Sequence, residues 1–330
     1  MRVRVLGGGW YGCHIAAELI AAGVPGVHLF DSAPRLFNGA SGSNPARLHI
    51  GPHYPRSSAT RAACLEHYAA FMAEYGGLTR AVPLNVYAIA AADSLVDFGT
   101  YRDVLRPQIE FLTVHDPAEL GLRNVEGAIL TGERHILIDA TRAHFETVLA
   151  GRYTVDSTPE LEAARGPWNW EIDCTFCARD EIGIDRFEPC VTVLLEGPAD
   201  RAVTIMDGPF PSVYPWDESR GLSSLTSAGL TPLGRCKTHA AAAAVLAELA
   251  PGYVEERARA MLEQMAYFWP GVLDDYRVFT CLLSVRAMPR SAAAARLVEV
   301  ARLGERFMRI RAGKIDAIFH AADAVKAAIC

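Results

Sequence analysis

Two short stretches carry the residues whose types and spacing can do chemistry. In GGGWYG, residues 7–12, Gly7, Gly9 and Gly12 stand at G-x-G-x-x-G spacing, and Asp31 follows nineteen positions after Gly12. Bare backbone at that spacing suits a pyrophosphate. The first glycine permits a tight turn, the second lets the main chain approach the phosphates, and the third lets a helix pack on a strand. The backbone N–H groups of Trp10 and Tyr11 would face the phosphates at the positive end of the helix dipole. Asp31, with Ser32 beside it, would accept hydrogen bonds from an adenosine ribose. The side chains of Trp10 and Tyr11 either cover the bound group or pack.

The second stretch is ASGSNPARLHIGPHYPRS, residues 40–57. Ser41, Gly42, Ser43 and Asn44 offer hydroxyls, an amide and open backbone, which suit a second patch of pyrophosphate and a polyol chain. Arg47, His49, His53, Tyr54 and Arg56 follow at a density that a purely structural loop has little reason to hold. His53 and Tyr54 are candidate acid–base groups, because imidazole titrates near neutrality. Arg47 and Arg56, with Arg286 and Arg290 far along the chain, are candidate clamps for a substrate carboxylate, which a guanidinium grips in bidentate fashion.

These residues must be positioned by regular elements. RVRVL reads as a strand and YGCHIAAELIAAG as a helix with Gly23 after its end; VHLF reads as a second strand closed by Asp31. That order is a βαβ dinucleotide site, and it serves NAD and FAD equally, since both carry an ADP half. A nicotinamide-dependent enzyme would continue with further regular βα units. Here a long run rich in Gly, Ser, Asn and Pro follows instead, which favours FAD. An NAD(P)-dependent dehydrogenase and a non-catalytic nucleotide-binding module stand as alternatives. Further on, residues 81–105 read as strand then helix, and 190–229 as short strands parted by Gly-Pro and Asp-Glu turns, an antiparallel signature. Residues 238–268 read as helix broken at Pro251-Gly252.

Composition bounds the rest. The chain has 330 residues, 51% of them hydrophobic and 21% charged, enough to bury a sizeable core in about two domains. A net charge of −6 without basic clusters gives no reason to expect nucleic acid or an anionic membrane as partner. With no leader pattern ahead of the first strand and no long apolar span, a cytoplasmic location is expected. Of eight cysteines, only Cys174 and Cys177 stand at C-x-x-C spacing. They form a redox pair, half a metal site or two incidental thiols; a second ligand pair at matching spacing is missing, so no metal is expected.

The fingerprint from Gly7 to Gly12, Asp31 and the segment ASGSNPARLHIGPHY together resemble the FAD-dependent oxidoreductases of the D-amino-acid oxidase type. Within them, GGGWYG and GPHYPRS are most similar to an uncharacterised bacterial subgroup often found among biosynthetic genes. The resemblance implies an α/β fold, in which a Rossmann-like, glutathione-reductase-like FAD-binding domain is interleaved with an α+β substrate domain containing an antiparallel sheet. The implied boundaries are 1–80, 131–180 and 276–330 for the first and 81–130 and 181–275 for the second. It places Ser41, Asn44, Leu48 and His49 beside FAD, largely through backbone, and His53, Tyr54 and Arg56 on the substrate side. WEIDCT looks like the family's strand returning to the cofactor. There Thr175 matches the family threonine, and Phe176 replaces its usual glycine. Val155 would hold the adenine by main-chain contacts or belong to the sheet core. Gly313, Lys314 and Ile315 would form the turn before the last helix, with Lys314 a cation beside the flavin pyrimidine or an ordinary surface lysine. The family moves a hydride from an amine- or hydroxyl-bearing carbon to the flavin. The expected partners are therefore a small amine, amino acid or hydroxy acid, and oxygen or another electron acceptor.

Overall fold

The computed structural model describes residues 1–179, 184–289, 298–311 and 313–330. Arg290 lies outside the described residues. The chain divides into two compact units, 1–44 with 138–185 and 287–330, and 45–137 with 186–286. These boundaries differ from the expected ones chiefly at 45–80, which falls in the second unit.

The first unit is built on a six-stranded sheet in the order 299–302, 307–311, 170–173, 2–6, 26–30 and 153–154. Strand β1 (Arg2–Leu6) runs parallel to β2 (Gly26–Phe30) on one side and to Trp170–Asp173 on the other. Helix α1 (Trp10–Ala21) bridges β1 and β2 and lies against the C-terminal helix Ile318–Ile329. Continuous apolar strands covered on both faces suit a parallel sheet, and Val3, Val5, Leu29 and Ile172 are all fully buried. The expected strand, helix, strand and acid occur in that order. The final helix is entered through a 3₁₀ turn at Ile315–Ala317.

The second unit carries an eight-stranded sheet in the order 277–289, 184–196, 222–227, 211–217, 201–206, 84–90, 125–131 and 111–114. From 184–196 across to 111–114, neighbouring strands pair antiparallel except at the centre, where Leu84–Ala90 and Arg201–Met206 run parallel. The two-residue period of a strand separates its faces. Val86, Ala88 and Ala90 enter a core with Val203, Val213, Leu225 and the helix residues Ala258, Met261 and Met265. Tyr87 and Ile89, between them, turn to a second cluster with Tyr101, Leu105 and Ile129. The expected break at Pro251-Gly252 separates helices His239–Ala247 and Tyr253–Phe268, and the Thr238 hydroxyl caps the first of these. A small sheet, 47–48 with 134–136 and 79–81, completes this unit and explains why residues 45–80 belong to it.

Candidate functional site

In the first unit the geometry is set by missing side chains. Gly7 has φ +99°, and a Cβ there would lie 2.6 Å from the carbonyl oxygen of Cys174. A Cβ on Gly12 would fall 1.8 Å from the Gly7 oxygen, and one on Gly9 2.7 Å from the Ser41 hydroxyl. The turn and the start of α1 are thus closed to any larger residue. Gly8 N–H donates to the Asp31 carboxylate, whose other oxygen accepts from Ala33 N–H at 2.7 Å. Ser32 beside it is exposed. The Ser41 hydroxyl accepts from Trp10 N–H at 3.1 Å. Gly42 is held over the Phe37 carbonyl, 1.8 Å from where a Cβ would be, and the Asn44 amide donates to the Ala40 carbonyl. A glycine cradle at a helix N-terminus, with an acid at the end of the second strand, fits the ADP half of a dinucleotide.

The side chains of Trp10 and Tyr11 do structural work. Trp10 is buried, edge-on to Phe37 and Phe145 with ring centroids 5.4 and 5.8 Å away. Tyr11 donates to the Lys314 carbonyl at 2.5 Å and accepts from Gly313 N–H at 3.3 Å, so it ties the C-terminal turn to the glycine turn. Ile315 opens the 3₁₀ turn beyond. Val155 is half-buried, one residue past the short strand Tyr153–Thr154 on β2. Thr175 donates from N–H and hydroxyl to one Asp173 oxygen, at 2.9 and 2.7 Å. Phe176 adopts φ +57°, the left-handed backbone a glycine would take at this place. Cys174 and Cys177 are not joined in a disulfide. Among the described residues no group of three or more His, Cys, Asp or Glu side chains is arranged to hold a metal, and no helix is long and apolar enough to cross a membrane.

The second unit gathers charged and titratable side chains. Cross-strand register places Tyr87, Thr204 and Ser212 in one row over three adjacent strands. Arg47, itself buried, donates to all three hydroxyls at 3.0, 3.0 and 2.8 Å, and its guanidinium lies 4.0 Å over the Tyr214 ring. Arg47 pairs with His135 and Leu48 with Arg134 in the small sheet; one step further along that register, His49 meets Glu133. Leu48 is core. Glu133 is fully buried. One of its oxygens lies 3.1 Å from His49 Nδ1 and also accepts from Ile50 N–H, and the other accepts from Tyr87 at 2.6 Å. Burial alone would push this carboxyl up, but His49, Arg47 and the Tyr87 hydroxyl outweigh it and pull the value down to about 2. The rings of His49, His53 and Tyr54 stand 5.2 to 5.4 Å from one another.

Arg56 and Arg286 are each paired with a carboxylate of this unit. Arg56 is largely exposed and donates to Asp207 at 2.5 Å. Arg286 donates through two nitrogens to the buried Glu188, which Arg186 also holds. Of the expected clamps, Arg56 and Arg286 already grip carboxylates of the protein, while Arg47 is held by hydroxyls. Sequence reading missed Glu133, Tyr87, Thr204, Ser212 and Tyr214. The one local signal was an acid, Glu133, set between two apolar strand runs.

No established family profile matches the sequence. The chain is 36% identical over 327 residues to the FAD-dependent monooxygenase FPY4 of Fusarium mangiferae, covering 96% of this chain and 88% of that protein. It is 31% identical over 317 residues to the FAD-dependent monooxygenase kojA of Aspergillus flavus, covering 84% and 74%. Its fold matches the crystal structure of glycine oxidase from Geobacillus kaustophilus with a TM-score of 0.71 at 15% identity, over 98% of this chain and 93% of that one.

Proposed function

The chain belongs to the FAD-dependent oxidoreductases that include these two fungal monooxygenases, and we propose that it oxidises a C–N or C–O carbon of a small amine, amino acid or hydroxy acid. In this reading it acts in the cytoplasm, as one step of a biosynthetic sequence. Bound FAD supplies the two-electron acceptor for the hydride that leaves the carbon.

The first unit holds the ADP half. The bare backbone of the glycine turn and the start of α1 at Tyr11 and Gly12 would receive the pyrophosphate and Asp31 the ribose, while Ser41, whose hydroxyl already holds the Trp10 N–H, and Asn44 line the loop that follows. Val155 and Thr175 serve from the returning segments, and Lys314, on the turn that Tyr11 fastens, supplies a cation. The second unit handles the substrate. The observation that carries this reading is the grouping of His49, His53 and Tyr54 at mutual ring distances of 5.2 to 5.4 Å. Loss of a hydride from a carbon bearing N–H or O–H also releases a proton, and an imidazole is the side chain suited to take it near neutral pH.

Oxygen insertion is the second reading, favoured by the 36% identity to a protein named a monooxygenase. Anaerobic mixing of the FAD-loaded protein with panels of amines, amino acids and hydroxy acids separates the two. Bleaching of the flavin by a substrate alone supports the proposal. Bleaching only by a reduced nicotinamide, with label from ¹⁸O₂ in the product, replaces it with the second reading.

A further inference from the structure

We propose that Glu133 is a positioning residue that holds the His49 proton on Nδ1, so that Nε2 is the basic atom and His49 is the group that takes the substrate's N–H or O–H proton. In that step the substrate's N–H or O–H bond breaks, an N–H bond forms at His49 Nε2, and the electron pair left behind forms the C=N or C=O bond as the hydride departs. The assignment of the base rests on the oxidation proposed above; the tautomer does not.

An ionised carboxylate only accepts hydrogen bonds, so the nitrogen 3.1 Å from it must carry the hydrogen. The same Glu133 oxygen accepts from Ile50 N–H, which ties the ring's orientation to the backbone of the next residue. Its other oxygen accepts from Tyr87, and the Tyr87 oxygen accepts from Arg47 Nη1. A continuous chain therefore runs from guanidinium through phenol and carboxylate to imidazole. Glu133, His53 and Tyr54 face His49, and Tyr87 and Arg47 are reached through Glu133.

Charge balance points the same way. Arg47 is buried, and apart from Tyr87 its hydrogen bonds go to the hydroxyls of Thr204 and Ser212. Its positive charge offsets Glu133, so the cluster is neutral while His49 is neutral. When His49 gains a proton, the buried negative charge at 3.1 Å favours the imidazolium, and the ring becomes a stronger base. His49 keeps 18% of its side chain exposed while Glu133 keeps none, so the dyad has a sealed end and an open one. The arrangement is that of a carboxylate orienting an imidazole.

Long-range ¹H–¹⁵N correlation on the FAD-loaded protein labelled in its histidines tests this directly. Once deprotonated, above its titration, His49 should be the Nδ1–H tautomer. Glu133→Gln, which keeps shape and an acceptor but removes the charge, should lower the His49 titration by about one pH unit or more. Tyr87→Phe, which removes a donor from Glu133 and leaves the carboxylate more basic, should raise it. Opposite signs from two neighbouring changes are not what general loosening produces. If Glu133→Gln does not fold, the wild-type tautomer and Tyr87→Phe still decide. An Nε2–H tautomer in the wild type, or a His49 titration unmoved by both changes, overturns the proposal. For the base assignment, the acid limb of substrate-driven flavin reduction should move with the His49 titration and stay in place in His53→Gln. A limb that moves with His53 overturns that assignment. If no substrate bleaches the flavin, the oxidation reading fails, while the tautomer result stands or falls by itself.

Discussion

The two units build their candidate sites from different materials. In the first, the candidate site is main chain, a glycine turn and the start of α1 packed so closely that no Cβ fits at Gly7 or Gly12. In the second they are side chains, with Arg47, His49, Tyr87, Glu133, Thr204 and Ser212 drawn from well-separated strands and loops. A site of the first kind is limited by volume and tolerates changes of charge nearby. A site of the second kind is limited by charge compensation, because a buried ion left without its partner costs more than the pair is worth.

The sharpest way to break this contrast is Gly12→Ala. Its Cβ would lie 1.8 Å from a backbone oxygen that cannot swing aside, so the expected cost is on the order of 4 kcal/mol or more, with loss of bound FAD. Thermal unfolding and flavin absorbance of the purified protein check it. Retention of FAD with unchanged stability would show that the turn is not limited by volume. The counterpart in the second unit is Glu133→Leu, which strands the Arg47 charge and is expected to cost about 3–5 kcal/mol in denaturant unfolding. Adding Arg47→Met should recover part of that loss, and a purely additive double variant would remove charge balance as the rule there.

Acid should separate the units next. His14 is buried in α1 against Phe319, and desolvation lowers its value from 6.5 to about 4. The unfolded chain takes up the proton first as pH falls. Stability should therefore decline from pH 6.5 downward, level off near 4, and lose about 3 kcal/mol at most through this group. His28, lowered to about 4 mainly by burial, adds to the same window. His14→Gln should flatten the His14 part of the decline. Glu133 has the opposite chemistry and the same sign: its depressed value gives stability that is present above 4.5 and lost as pH falls toward about 2. Melting temperature against pH in the wild type and His14→Gln reads both windows.

The smallest expected effect is Tyr11→Phe, which removes two hydrogen bonds to the 313–314 turn at a cost of about 1–2 kcal/mol. A companion change, Lys314→Met, should leave the melting temperature nearly unchanged and shift the flavin potential and sulfite affinity. Unchanged potential and sulfite affinity would return Lys314 to an ordinary lysine.

Much of the first unit was legible from residues 1–31 alone, because strand, turn, helix and acid follow one another within reach of local forces. The left-handed backbone at Gly7 and the close approach at Gly12 are consequences of steric exclusion that spacing announces. The roles of Trp10 and Tyr11 were not legible. Phe37, Phe145 and the 313–314 turn are distant in sequence, and only packing brings them to α1. The second unit showed its candidate residues in the run from Arg47 to Arg56 but not their partners. Arg56 meets Asp207 and Arg286 meets Glu188, pairings at separations of 151 and 98 residues.

The sequence by itself determined the dinucleotide turn and the order of the elements around it. Backbone dihedrals and Cβ clashes act over a few residues, and a glycine's freedom belongs to its own position. Which imidazole stands beside a buried carboxylate was decided only by tertiary structure. The register of a small sheet brings His49 to Glu133 across 84 residues, and burial then makes each charge depend on the other. Coulomb forces and desolvation act through space and not along the chain, so no local spacing records them.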